Sequence, residues 1–472
     1  MKKWIIAIAA LAALTGCASR FDTPSVLSAL LMTDSSGASI RSLRLEVGET
    51  VSLKALTRPE NADVSIKWSS SNPSVASVTQ DGLVTGLGLG ITRILAVSGS
   101  YRASCTVTIG GMPAYDIAAA FSAPLTESLV WSKGVGLYAS RRIMQGFDIT
   151  PSGTVFYSQI GSNPSTVNIC RAGGPGADAT DDVMVLSRAG HGTQIVAEEA
   201  EDGKTYIWVN TNGTVDETTG EYNENLSFSR IEFKPGARYD QGYAGETFFL
   251  NRGGSYDENG YYHNSQYDQQ VSIDFVHRRM LVGSRKSGTR YLWVFDLDEA
   301  LNLPLEEMQI TVKAGTPEYE GMPVTEVTRK IMGRDLGKCH ALGQITVPVG
   351  KNTATDVYSY SHQGHEIYGN YIYFYEGNAV EDENFPDTFQ GVGYMTMFNY
   401  IGDVVVPRTR ITALSDTEVQ KSLGITQSGY VEPESFKVKD GEIFLGFASR
   451  DDASSLRKAN ILRYAVSELS GI

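Results

Sequence analysis

Gly190-His191-Gly192-Thr193-Gln194-Ile195, then the turn Asp202-Gly203, then Tyr206-Ile207-Trp208-Val209, then Phe228-Ser229-Arg230-Ile231: this order decides the fold. A polar residue, often beside glycine, stands four positions before an apolar anchor. A dense apolar strand and a third strand follow. The order occurs five times, with leading stretches Gln145-Gly146-Phe147-Asp148-Ile149, His191 to Ile195, Gln269-Gln270-Val271-Ser272-Ile273, Gln363-Gly364-His365-Glu366-Ile367 and Glu432-Pro433-Glu434-Ser435-Phe436. The second strands are Val155 to Tyr157, Tyr206 to Val209, Met280 to Val282, Tyr371 to Phe374 and Ile443 to Leu445. The third are Val167 to Ile169, Phe228 to Ile231, Tyr291 to Phe295, Tyr394 to Phe398 and Ile461 to Val466.

Small antiparallel sheets that cannot bury both faces alone pack radially about an axis, so residues 112–472 are expected to form a five-bladed β-propeller. A large sandwich or jelly roll would also yield apolar strands joined by glycine turns. Symmetry turns a column of the repeat into a ring in space. Gln145, His191, Gln269, Gln363 and Glu432 share one column, with His365 and Glu434 two positions further on. If each first strand is innermost, these groups form a polar funnel for hydroxyl-rich or zwitterionic ligands. The alternative is that the ring only starts each strand and satisfies backbone.

Before the repeats, residues 40–111 read as a separate small β-sandwich of about seven strands. Leu43, Leu45 and Val47 alternate before Gly48, Trp68 precedes a Ser-Asn-Pro turn, and Cys105, Val107 and Ile109 alternate at the end. Val47-Gly48-Glu49-Thr50, Lys67-Trp68-Ser69-Ser70-Ser71-Asn72-Pro73 and Asp81-Gly82-Leu83-Val84-Thr85-Gly86 resemble the bacterial immunoglobulin-like domain, group 2. That resemblance implies a spacer or presenting module. The whole chain is thus expected to be all-β.

Further out, Lys2 and Lys3, the apolar run Trp4 to Leu14, and Leu14-Thr15-Gly16-Cys17 have the order of an export signal ending in a lipobox. The apolar run is shorter than the ~20 residues needed to cross the hydrocarbon core. Residues 1–16 are expected to be removed, Cys17 to be lipidated, and 17–39 to form a tether on an outer-membrane lipoprotein; which membrane face it occupies stays open. Loss of Lys2 and Lys3 takes the formal charge from −14 to −16. An acidic surface repels phosphate backbones, which argues against nucleic acid. The membrane is met through the lipid alone. Cys105, Cys170 and Cys339 are too scattered for a disulfide framework and are expected as buried thiols.

Gln145 to Gln159, and Gly190 to Gln194 followed by Tyr206-Ile207-Trp208, resemble the propeller shared by helveticin J-type bacteriocins and some phage receptor-binding proteins. The phage members imply recognition of cell-wall glycopolymers, without any enzyme activity.

Tyr256, Tyr261 and Tyr262, among Asp, Asn and His263, have the composition of a carbohydrate platform, or of a packed loop. His362 and His365 beside Glu366 do not make His-Glu-x-x-His, so no metal is expected, and no phosphate or dinucleotide motif calls for a cofactor. Glu381-Asp382-Glu383-Asn384 lacks alternating ligand spacing for Ca²⁺. The first functional expectation is a tethered binding protein for a glycan or envelope polymer. Its alternatives are a carbohydrate-active hydrolase or lyase using His191 with Glu366 or Glu434, and a scaffold for protein partners.

Overall fold

The computed structural model describes residues 27–60, 62, 64–88, 90–109, 117–163, 165–177, 182–217, 220–251, 255–256, 262–263, 266–316, 322–347, 360–380, 391–399, 402, 404–450 and 456–465. The expectations for the export signal, Cys17, Tyr261 and Glu381 to Asn384 lie outside the described residues. The chain divides into two units at Ile109/Gly110.

In the first unit a four-stranded sheet has the order Ser42–Leu45, Tyr101–Ile109, Gly90–Ser98, Lys67–Ser70. A three-stranded sheet of Thr50–Ser52, Leu83–Gly86 and Ala76–Val78 accompanies it. Gly90–Ser98 buries every second residue, as a strand with one face on a core must. Trp68, Ile94, Ala96, Cys105 and Val107 form that core, and Gln80 clasps Trp68 by accepting from its N–H and donating to its carbonyl. The expected tether is corrected in part. Ala29–Thr33 is a strand paired with Lys54–Arg58, because Leu30 and Met32 alternate with exposed Leu31 and fall into the same core.

The second unit holds five principal antiparallel-based sheets, each opened by one of the expected leading strands: Met144–Ile149, Ile195–Glu199, Tyr267–Asp274, His362–Tyr368 and Val431–Lys439. Every second and third strand read from the repeat follows in order within its own sheet. The second sheet is extended by Glu246–Phe249 and the long hairpin Leu305–Thr316/Met322–Asp335. In the fifth, Val130–Val135 from the beginning of the unit pairs antiparallel with Arg457–Ala465 from its end. Such a non-local clasp holds the ends of the unit together against chain entropy.

Each leading strand touches the leading strand of the next sheet, and the fifth touches the first. Hydrogen bonds follow the same circuit. Asp148 accepts from the Ala197 amide (2.7 Å), Gln270 donates to Thr193 (3.0 Å), Asp274 accepts from the Gly369 amide (2.7 Å), Lys437 meets Glu366, and Lys439 meets Asp148 (2.7 Å). Between sheets the packing is aromatic and aliphatic: Trp208, Phe228, Phe248 and Phe295 in one cluster, Tyr375, Phe436, Phe447 and Tyr464 in another. Cys105, Cys170 and Cys339 are buried and outside any disulfide.

Candidate functional site

Four of the five leading strands start with a bulge. The register shifts between Met144 and Gly146, Tyr267 and Gln270, His362 and Gly364, and Pro433 and Phe436. A bulge leaves residues unpaired and re-aims their side chains. Gln145, Gln269 and Gln363 are such residues, and their polarity follows from that place. Gln269 is buried, accepts from the Leu250 amide (2.9 Å) and donates to the Gln266 carbonyl (3.2 Å). Gln363 donates to the Gly377 carbonyl of its own sheet (2.9 Å). Glu432 accepts from the Tyr430 hydroxyl. The expected funnel of five converging side chains is therefore corrected: of the column, only His191 lines the cavity that opens at these strand starts.

That cavity measures about 520 Å³. His191 and Thr193 reach it from the second sheet, Asp268, Gln270, Arg285 and Arg290 from the third, and His362 and Phe374 from the fourth. Gly192 lets the chain turn in beside them, with φ of +75° and a Cβ position only 2.8 Å from Val167. His191 Nδ1 meets Asn223 Oδ1 at 2.8 Å. Asp268 sits at φ +53°, a left-handed conformation that non-glycine residues rarely hold, and pairs with Arg290 at 2.8 Å. Strained backbone of this kind concentrates at ligand sites.

Among the described residues, three that line it carry buried polar atoms with no hydrogen-bond partner: Asn210 Oδ1, Gln270 Oε1 and Arg290 Nη1. Their neighbours fix which amide end is which. Gln270 Nε2 faces an Asp268 carboxylate oxygen (3.1 Å), which only accepts. Asn210 Nδ2 faces the Gln269 carbonyl (3.2 Å), which also only accepts. Each of these atoms is itself shut off from solvent, so the three lie behind the cavity surface, left unpaired at about 1–3 kcal/mol each. Asn210 and Gln270 are 3% and 4% exposed, so bulk water reaches them poorly.

Behind the lining, His365 is fully buried, with Nδ1 3.1 Å from His362 Nε2 and Nε2 accepting from the Gly283 amide at 3.1 Å. The two rings bond each other. Burial, with Arg290 nearby, pushes the His365 imidazole down to about 3 and holds His362 well below its ordinary range, so both are neutral. Gly283 is required: a Cβ there would lie 2.2 Å from the His365 ring. His365 therefore supports the cavity from beneath, holding His362 rather than lining the cavity itself.

Glu366 and Glu434 do not line the cavity either. Burial raises the Glu366 carboxyl against the pull of Lys437, and Ser272 donates to it at 2.7 Å. Burial first, then the negative charge of Glu432, pushes Glu434 well above the carboxylate range. Tyr256 and Tyr262 face each other across a short backbone ladder, Ser255–Tyr256 with Tyr262–His263.

Asn210, Gln270, Asp268, Arg285, Arg290 and Phe374 were missed as site residues. All but Phe374 were hidden because they belong to no common column; Phe374 was read only as a strand residue. A second signal was present. The position just before each anchor reads Asp148, Gln194, Ser272, Glu366 and Ser435, uniformly polar, and all five are buried. That column supplies much of the bonding between sheets.

Residues 38–109 match the bacterial Ig-like domain (group 2) family, and the first unit is such a domain. A segment of 74 residues is 34% identical to lacto-N-biosidase of Bifidobacterium bifidum, covering 16% of this chain and 7% of that protein. The chain therefore spans a small fraction of that relative's length. Among solved structures, α-L-arabinofuranosidase from Lactobacillus brevis is similar at TM-score 0.32 and 12% identity, over 72% of this chain and 92% of that one. A GH43 β-1,3-galactosidase is similar at TM-score 0.28 and 8% identity, over 72% and 59%. Domains 5–6 of the S-layer protein SbsC are similar at TM-score 0.16 and 14% identity, over 46% and 99%. These TM-scores are too low to carry fold or function from those proteins to this one.

Proposed function

We propose that this chain is a lipid-anchored binding protein of the bacterial cell envelope, held at Cys17, spaced by its immunoglobulin-like unit, and binding a glycan in the cavity at the starts of the leading strands. In this reading the five sheets are blades of a five-bladed propeller, supported by the circuit of contacts that runs from each leading strand to the next and from the fifth back to the first.

The observation that carries the binding assignment is one cavity of about 520 Å³ lined by polar side chains of three sheets, among them His191, Asp268, Arg285 and Arg290. A sugar hydroxyl both donates and accepts, so one class of group meets such a mixed lining. Phe374 and His362, 5.1 Å apart between ring centroids, add ring surface for sugar C–H groups. The cavity is of ordinary size for a small ligand.

The test is titration calorimetry of the exported chain against envelope polysaccharides chosen from a glycan array. Wild type is expected to bind, and His191→Ala to lose about tenfold in affinity, the loss of about one hydrogen bond to the ligand. Failure of every envelope glycan to bind, or unchanged affinity in a folded His191→Ala protein, would sink the reading. The anchor is tested separately by palmitate labelling in cells, expected in wild type and absent from Cys17→Ser.

A further inference from the structure

The third sheet sets two like charges against each other. Arg285, on Arg279–Lys286, stands directly opposite Arg290, on Thr289–Asp296. Like charges at opposed positions of a ladder repel and weaken it. One counter-ion is supplied: Asp268 meets Arg290 at 2.8 Å. The Arg285 guanidinium lies 5.6 Å from the Tyr267 ring centroid and pairs with no carboxylate among the described residues. Both arginines line the cavity, and Arg290 Nη1 is one of its unpartnered atoms. Glu221, the other acid of the lining, comes from the second sheet's side, on the segment before Glu224–Glu232. An uncompensated cation beside an unsatisfied cationic donor is unusual in a chain whose formal charge is −14. His362 and His365 do not add charge there, since both are neutral.

We infer that the ligand of this cavity is an acidic saccharide, its carboxylate held by Arg285 where that side chain stands against Arg290. The inference rests on the saccharide reading and narrows it. Planar guanidinium groups suit a carboxylate because their N–H groups match its two oxygens. Binding would relieve the repulsion between the two arginines.

Titration calorimetry of the exported chain against hexuronate oligosaccharides and their carboxyl-reduced counterparts tests this. The acidic form is expected to bind at least about tenfold tighter, with a preference that shrinks as salt rises. Arg285→Gln, at a partly exposed position, is expected to bring the two affinities together; a melting curve verifies that it folds. Equal binding of acidic and reduced forms by wild type, or a preference that survives Arg285→Gln, overturns the acidic assignment and leaves the saccharide reading standing. Binding of neither form overturns both.

Discussion

Two cavities lie at the two ends of the leading strands, and they treat their polar groups in opposite ways. The one at the strand ends is larger, about 750 Å³, and is lined by Glu198, Asp274, Trp208, Arg230 and Lys439 among others. Its buried groups are bonded. Asp274 accepts from the Val276, His277 and Gly369 amides and meets the His277 ring at 2.7 Å. Glu198 takes Trp208 Nε1 at 2.8 Å and both forks of Arg230 at 2.7 and 2.8 Å. The smaller cavity at the strand starts leaves Asn210, Gln270 and Arg290 each with an open position. A hydrogen bond already made holds the fold, whereas one left open in a buried place costs stability.

The largest expected effect tests what separates the two ends. Lys437→Met strands the buried Glu366 carboxyl, and removing one partner of a buried pair costs about 3 kcal/mol or more. Urea unfolding should show it, with much of the loss recovered in Glu366→Gln/Lys437→Met. An unchanged midpoint in the single variant would mean that the pair contributes no stability.

Next, Glu198→Ala removes bonds to Trp208 and Arg230 at the larger cavity and is expected to cost about 2 kcal/mol. Glycan affinity should stay as in wild type. Loss of affinity there would break the contrast between the two ends.

The smallest effect, taken per pH unit, comes from titration. Glu434 titrates above its ordinary range, so the folded chain keeps a proton that the unfolded chain releases. Its contribution is therefore full below the unfolded value of about 4.5 and is lost as pH rises toward the raised folded value, by up to about 1.4 kcal/mol per pH unit. Glu366 acts in the same direction. Glu434→Gln should flatten the fall of stability between about pH 5 and pH 8. Identical slopes in the two proteins would show that the carboxyl is ionised when folded.

Much of the fold was legible because strand formation has a local signature. Val155, Tyr206, Met280, Tyr371 and Ile443 each open or fall within a strand of the expected order. The site was legible only at His191. The column that held it was polar for two different reasons, and spacing cannot separate them: bulge residues such as Gln269 and Gln363 bond backbone, that of Leu250 and of Gly377 respectively, while His191 precedes its strand and faces the cavity. Arg290 and Asn210 were invisible because they lie on later strands and reach the cavity only once the sheets are set side by side.

By itself, then, the sequence determined the immunoglobulin-like unit, the order of strands and the five sheets, since alternation, turn residues and repeat order act over a few residues at a time. Tertiary structure alone decided which polar groups are satisfied. That depends on atoms brought within about 3 Å from segments far apart in the chain. Asn210 finds the Gln269 carbonyl for its N–H and nothing for its oxygen, and Arg290 finds one carboxylate for two forks. Those open positions came from packing, and no reading of neighbours along the chain contains them.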